Sequence, residues 1–240
     1  MSRLRVLALV VALVAAFLFA VAGPGTRLGL WDFRLGFTLL RWGAWLGMAG
    51  VVLALLALVV PASRRAGVLV PLFALALSAA VVYVPWSMVR RARSVPPIHD
   101  ITTDVVDPPA FVDVLARRAG SPNSAVYGGD SIARQQQAAY PDVRTLELAI
   151  PPAQAFPRAL EAAREMGWEI VAADTSAGRI EATATTRWFG FKDDVVVRIR
   201  PNGDGGGSRL DVRSVSRVGG SDVGANAERI RAYLRRLTSE

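Results

Sequence analysis

The chain has 240 residues, 52% of them hydrophobic, and a mean hydropathy of +0.33, which is too apolar for a simple soluble protein of this length and leaves room for a membrane anchor plus one globular domain. Its formal net charge is +8, yet residues 1–93 carry ten arginines and one acidic residue, Asp32, whereas residues 94–240 carry 18 basic and 19 acidic residues. This distribution argues against a nucleic-acid partner, because such a function needs a basic surface on the globular part.

Three apolar segments precede the balanced region, at about 6–22, 42–60 and 66–89. Each is free of charged residues and close to the roughly 20 residues that a helix needs to cross a bilayer. The first also ends in Ala20-Val21-Ala22, which fits a signal-peptidase site, so it is either a span or a cleaved signal. We therefore predict a membrane anchor over residues 1–93, with the lipid bilayer as one partner.

Two further patterns support this anchor. Aromatic residues and arginines alternate around Trp31, Phe33 and Phe37, a composition typical of the lipid head-group layer. Gly43, Gly47 and Gly50 form a small-residue stripe, which predicts close packing within the helical bundle or, alternatively, a dimer interface.

The orientation of the anchor rests on two opposing signals. With the N-terminus inside, four arginines lie on the cytoplasmic side and six on the other, which argues mildly against that orientation. The basic N-terminus and the signal-like Ala20-Val21-Ala22 argue for it. We expect a multi-pass protein of the bacterial inner membrane with a periplasmic C-terminal domain.

Residues 94–143 are predicted to be a linker with short helices. Asp107-Pro108-Pro109 is a suitable helix start, and Val112 and Leu115 belong to a short apolar stripe that Gly120 ends. A second short helix is predicted over 131–140.

Residues 144–240 are predicted to form an α+β domain, an antiparallel sheet in the order βαββββα with helices on one face. Alternating apolar residues from 146 to 150 indicate the first strand, and Pro151-Pro152 opens a helix that ends at Gly167. Turn sequences separate four further strands, and the last helix runs from about 221 to 237. The four strands are predicted at 168–174, 179–186, 194–200 and 209–217.

Three aromatic residues, Trp188, Phe189 and Phe191, surround Gly190 between two of the strands. They are a candidate hydrophobic lip for a lipid or an amphipathic partner, or alternatively a plug for the open end of the sheet. Arg213 and Arg217, at a strand end before a helix, complete this candidate ligand or partner surface.

Asp193 and Asp194 are the acidic residues of the same candidate surface. No ligand spacing for a hard cation accompanies them, and the chain contains no cysteine, so we predict no metal site and no cofactor. Cross-strand ion pairs are the simpler explanation, because a set of acidic and basic residues shares one parity on two neighbouring strands. That set is Asp194, Arg198, Arg200, Arg209, Asp211, Arg213 and Arg217.

Several stretches of the second part of the chain are specific enough to compare with a known family. They are Ile98-His99-Asp100-Ile101-Thr102-Thr103-Asp104, Pro108-Pro109-Ala110-Phe111, Gly178-Arg179-Ile180-Glu181-Ala182-Thr183, Phe189-Gly190-Phe191-Lys192-Asp193-Asp194, Asp211-Val212-Arg213-Ser214-Val215-Ser216-Arg217-Val218-Gly219 and Asp222-Val223-Gly224-Ala225-Asn226-Ala227 with Arg229-Ile230. Through these stretches the chain resembles, over about residues 96–238, the family called domain of unknown function 1499. Members are bacterial envelope or plastid proteins, often with N-terminal spans or an export signal, so the resemblance supports the exported orientation. It implies no established activity, cofactor or catalytic residue.

Two functions of different classes remain open on the sequence. The first is a non-catalytic protein whose soluble domain binds a hydrophobic ligand or an envelope protein. The alternative is an envelope hydrolase or other enzyme that uses Asp193 or Asp194 with an arginine or with His99, the only histidine.

Overall fold

The computed structural model describes residues 3–203 and 206–238, and the chain divides into two compact units. The helical unit comprises Met1–Arg91 together with the short segment Arg187–Gly190. The C-terminal unit comprises Ala92–Thr186 and Phe191–Glu240.

Over residues 3–94 the structure has helices α1 (Arg3–Arg27), α2 (Phe33–Val59), α3 (Pro61–Arg64) and α4 (Leu69–Ser94), the last of which ends three residues beyond the helical unit. Three of them, α1, α2 and α4, are long and apolar enough to cross a membrane. They coincide with the three predicted apolar segments except that Val60 follows the end of α2 and residues 66–68 precede α4. The Asp32 carboxylate caps α2 by accepting hydrogen bonds from the backbone N–H groups of Arg34 at 2.7 Å and Leu35 at 3.1 Å.

The predicted glycine stripe of α2 packs inside this bundle. A Cβ atom added at Gly43 would lie 3.2 Å from the carbonyl oxygen of Ala15 in α1, and one added at Gly50 would lie 2.3 Å from Oγ of Ser78 in α4. The glycines thus allow three helices to approach closely, as the prediction of packing within the bundle requires.

The C-terminal unit is built on one antiparallel sheet. The strands are β1 (Asp100–Thr102), β2 (Leu146–Leu148), β3 (Glu169–Asp174), β4 (Arg179–Thr185), β5 (Lys192–Pro201) and β6 (Ser208–Ser216), and the helices are α5 (Asp130–Ala139), α6 (Pro152–Glu165) and α7 (Ala225–Thr238). The strands lie in the order β1-β6-β5-β4-β3, and β2 pairs with the other end of β6. The predicted order βαββββα is confirmed from β2 to α7.

One face of the sheet packs against α6 and α7 and forms the main core. Alternate residues of the central strands, such as Ile180, Val197 and Leu210, are buried there because successive side chains of a strand point to opposite faces. Trp168 stacks on Tyr233 of α7 with ring centroids 4.9 Å apart, and the Tyr233 hydroxyl donates a hydrogen bond of 2.7 Å to the Ala159 carbonyl.

The structure corrects the predicted linker over residues 94–143. β1 pairs with β6, with Ile101 opposite Ser214, and α5 coincides with the second short helix that the sequence predicts. The segment from 103 to 128 lies on the second face of the sheet, where Phe111 and Val114 join a core with Val196 and Val215. Residues 94–143 are therefore part of the domain, which the weak periodicity of the segment did not indicate.

The first short helix is also corrected. The structure has a 3-10 helix, Asp113–Arg118, which buries Val114 and Arg118. The predicted apolar stripe is wrong because Val112 and Leu115 are exposed. A 3-10 helix has three residues per turn, so it presents a different set of side chains to the sheet than an α-helix would.

Candidate functional site

Asp193 and Asp194 lie side by side in β5 but point to opposite faces of the sheet, as neighbouring residues of a strand do. On the helical face, the Asp193 carboxylate accepts a hydrogen bond of 2.5 Å from the Arg229 guanidinium of α7. On the other face, Asp194 meets arginines from the segment 103–128 and from the chain after β6. The two carboxylates therefore cannot act together on one substrate.

The Asp194 carboxylate is the centre of a buried cluster and has no exposed side-chain surface. Arg217 donates two hydrogen bonds to it, 2.8 Å from Nε and 2.7 Å from Nη2. Arg118 Nη1 donates a third at 2.7 Å, and the Thr183 hydroxyl a fourth at 2.8 Å. Both carboxylate oxygens are thus fully used, in the two-point geometry that arginine forms best with a carboxylate.

These contacts determine the ionisation of Asp194. Burial raises the pKa of this carboxyl group, but the hydrogen bonds from Arg217, Thr183 and Arg118 together lower it by more than burial raises it. The pKa of Asp194 therefore lies below its usual range. The hydrogen bond to Asp194 raises the pKa of Arg217 in turn. Asp194 is consequently an anion at neutral pH and serves as a fixed counterion for two arginines.

Arg213 is buried in a second pair on the same face. Its Nε and Nη2 atoms donate to the two oxygens of Asp100 at 2.9 and 2.7 Å. Its guanidinium carbon lies 5.1 Å from the ring centre of Phe111 and 5.4 Å from that of Tyr127, so aromatic rings cover the charge. Only 3% of the Arg213 side chain is exposed, which places it away from ligands in solution.

Two more buried carboxylates, Asp211 and Glu181, bind the segment 103–128 to the sheet. Asp211 accepts a hydrogen bond of 3.3 Å from the Thr103 hydroxyl. It also accepts one of 3.0 Å from Arg198, which lies opposite it on β5, so one cross-strand pair of the predicted kind is present. Glu181 accepts hydrogen bonds from the backbone N–H groups of Val112 at 2.9 Å and Val114 at 2.8 Å. Glu181 lies opposite Val196 and therefore on the same face of the sheet as Asp194, a position that the alternation of its strand could have indicated.

The aromatic residues of the predicted surface lie elsewhere. Trp188 and Phe189 belong to the helical unit, where the Trp188 ring lies 4.9 Å from that of Phe19 and the Phe189 ring 5.1 Å from that of Phe37. Phe191, by contrast, belongs to the C-terminal unit and is half-buried, with its backbone N–H donating to the Thr186 hydroxyl at 2.9 Å.

Of the seven residues of the predicted surface, Trp188 and Phe189 pack in the helical unit, and Asp194 and Arg217 form an ion pair in the C-terminal unit. Asp193 and Arg213 are each paired with another residue of the C-terminal unit, Arg229 and Asp100. Among the residues described, 3–203 and 206–238, no group of three or more histidine or acidic side chains is placed to hold a metal ion.

Comparison with known proteins identifies the family of this chain. Among curated proteins none matches the chain. The family described as "Protein of unknown function (DUF1499)" matches residues 100–237, from the first residue of β1 to the penultimate residue of α7. The match therefore covers the whole sheet, including the part that the sequence alone assigned to a linker. Because more than half of the chain is matched, this protein belongs to the DUF1499 family.

Proposed function

We propose that this chain is an integral protein of the bacterial inner membrane whose C-terminal domain faces the periplasm and binds a hydrophobic ligand or an envelope protein without catalysis. Three helices that can cross a membrane support the anchor. The near-neutral composition of residues 94–240 fits a domain in an aqueous compartment, with the positive excess confined to the helical part.

The observation that carries the non-catalytic proposal is the use of the buried carboxylates. Asp100, Asp193, Asp194 and Asp211 are each paired with an arginine of the same domain. A general acid or base works best with a pKa near the operating pH, whereas the pKa of Asp194 is lowered. These groups are therefore suited to hold the fold together.

The enzyme alternative required Asp193 or Asp194 with an arginine or with His99. In the structure the partners of both carboxylates are structural arginines, Arg229 for Asp193 and Arg118 with Arg217 for Asp194. Because Asp194 has no exposed surface, a substrate would have to displace a buried ion pair to reach it. The geometry favours binding over catalysis for this reason.

Co-purification tests the binding proposal. We expect the full chain with both Trp188→Ala and Phe191→Ala to lose a hydrophobic ligand or partner that purifies with the unaltered protein, as measured by mass spectrometry. Val106→Ala is the matched control, because Val106 is an apolar residue of the C-terminal unit that is 92% exposed. Binding that survives the double substitution, or an unaltered protein that carries nothing, would contradict the proposal.

Fusion reporters test the orientation. Alkaline phosphatase joined to the C-terminus should be active, and a fluorescent protein that folds only in the cytoplasm should stay dark at the same position. The opposite pair of results would place the domain in the cytoplasm and remove the periplasmic part of the proposal.

A further inference from the structure

The segment Arg187–Gly190 joins two strands, β4 and β5, yet its rings pack within the helical unit. Phe189 is buried, with only 6% of its surface exposed, and its ring lies 5.1 Å from Phe37 of α2. Trp188 is half-buried and lies 4.9 Å from Phe19 of α1. The pair is therefore seated on two helices that can cross a membrane.

Two helix glycines provide this seat. A Cβ atom added at Gly23 would lie 2.4 Å from Cδ1 of Trp188, and one added at Gly36 would lie 2.8 Å from Cε1 of Phe189. Neither distance is compatible with a side chain larger than hydrogen, so the rings occupy the space that the missing side chains leave. Gly36 lies on the same buried face of α2 as Gly43, and a Cβ atom added there would also lie 2.5 Å from Oγ1 of Thr26 in α1, so this glycine serves helix packing as well.

Arg27 of α1 also contacts the segment Arg187–Gly190. The Arg27 guanidinium donates a hydrogen bond to the Arg187 carbonyl. Gly190 adopts a φ of +71°, a left-handed conformation that glycine reaches without strain, and a Cβ atom added there would lie 3.2 Å from Cα of Arg27. Arg27 is the last residue of α1, so the segment lies at the end of that helix.

The surroundings of the segment have the composition of a membrane interface. Trp31 and Phe33 lie between the end of α1 and the first turn of α2, and Arg27 and Arg34 lie beside them. Tryptophan is enriched in the head-group layer because its ring is apolar while its N–H can still bond to water or lipid. Trp188, which keeps part of its surface exposed beside these residues, fits that layer.

We infer that Arg187–Gly190 is a membrane-interfacial element in which α2 holds Phe189 and α1 holds Trp188, while the exposed part of Trp188 contacts lipid at head-group depth. This inference rests on the membrane insertion proposed above and goes beyond it by naming the lipid interface as the partner of Trp188. Gly23 and Gly36 are the residues that provide its seat.

Fluorescence quenching in bilayers tests the inference. The full chain is reconstituted in phosphatidylcholine nanodiscs whose acyl chains are brominated close to the head groups, or not brominated. The emission of Trp188 is obtained as the difference between the unaltered chain and Trp188→Phe. Lipid contact should lower this emission by about half in the brominated nanodiscs, because a tryptophan at the interface lies next to the bromine atoms.

Two other tryptophans serve as references. Trp168 is buried in the core of the C-terminal unit, so its emission, obtained with Trp168→Phe, should not change on bromination. Trp42 is 58% exposed on α2, so its emission, obtained with Trp42→Phe, should be quenched. If Trp42 is quenched and Trp188 behaves like Trp168, the present inference is overturned; if neither Trp42 nor Trp188 is quenched, membrane insertion itself fails.

A glycine substitution tests the seat. Gly23→Leu should displace Trp188, so that its emission shifts to longer wavelength and its quenching changes, and Gly220→Leu is the control because an added side chain there meets open space. The Trp188 difference signal is measured within the Gly23→Leu background. A Trp188 signal identical to that of the unaltered chain would overturn the assignment of Gly23 as the seat.

Discussion

Asp194 shows how one buried residue can hold several parts of a domain together. Its carboxylate joins the 3-10 helix through Arg118, the neighbouring strand through Thr183 and the chain after β6 through Arg217. Removing the charge leaves two arginines buried without a counterion, which is costlier than removing the whole cluster. Asp194 therefore matters for stability because Arg118 and Arg217 would lose their counterion without it.

Asp194→Asn should accordingly lower the free energy of unfolding by about 3–5 kcal/mol. Asp107→Asn is the matched control, since Asp107 also pairs with arginines, Arg198 and Arg200, but its side chain is 63% exposed. Asp107→Asn should lower the free energy of unfolding by less than about 1 kcal/mol because water screens an exposed pair. Denaturant unfolding of both full-length variants in detergent gives the comparison, and equal losses would refute a special role of burial.

The same residue predicts a pH dependence. The pKa of Asp194 is lowered in the folded protein, whereas an unfolded aspartate has a pKa of about 3.9. The folded state thus gains stability from this group above that value and loses it as the pH falls through the lower, folded pKa. We expect the stability difference between the unaltered chain and Asp194→Asn to be constant from pH 7 to about 5 and to shrink below about 4. A difference that persists unchanged to pH 3 would contradict this.

At the scale of elements, the packing of α2 depends on its glycines, which have no side chain to separate the helices. Gly50→Ala should destabilise the bundle by about 1–3 kcal/mol, because the new Cβ atom would lie 2.3 Å from Oγ of Ser78 in α4. Ser78→Ala removes that oxygen and should restore part of the loss in the double variant. Thermal unfolding of the full chain in detergent measures both effects, and additive losses would show that the two positions do not interact.

The elements also show why the sequence predicted some parts of the fold and missed others. The anchor helices, β2 to β6, α6 and α7 follow from long apolar runs or from regular alternation. The segment from 103 to 128 has neither of these patterns. It is held by single contacts, such as those of the Glu181 carboxylate with the backbone of Val112 and Val114. A contact between one buried carboxylate and a distant backbone leaves no periodic trace, so β1 and the second covered face were not predicted.

The candidate site shows the same limit at the level of side chains. Strand parity predicted cross-strand ion pairs within a set of seven charged residues, and the structure has one such pair between Arg198 and Asp211. Parity also assigns Asp193 and Asp194 to opposite faces of the sheet, so the prediction that both belong to one surface was inconsistent with the strand pattern. The positions of Trp188 and Phe189 depend on Gly23 and Gly36, residues more than 150 positions away, and local sequence could not predict that.

At the scale of the whole molecule, the two parts of the chain differ in charge. The basic excess belongs to residues 1–93, whereas buried acidic residues of the C-terminal unit such as Asp194 and Asp211 pair with arginines of the same unit. The chain is thus not a basic protein in the sense that its pI of about 11.0 suggests. Raising the ionic strength should therefore change lipid binding by the anchor more than the stability of the domain, which vesicle flotation and thermal unfolding at low and high salt would measure.

The pairing of β1 with β6 has a consequence for biosynthesis. The two strands, and the ion pair between Asp100 and Arg213, join residues 113 positions apart. Because a chain leaves the ribosome from its N-terminus, β1 emerges long before its partner exists, and the sheet cannot close until the chain has been made as far as β6. In the periplasmic orientation proposed above, the domain would therefore still be open when it crosses the membrane, and an open chain is the form that a translocation channel can pass.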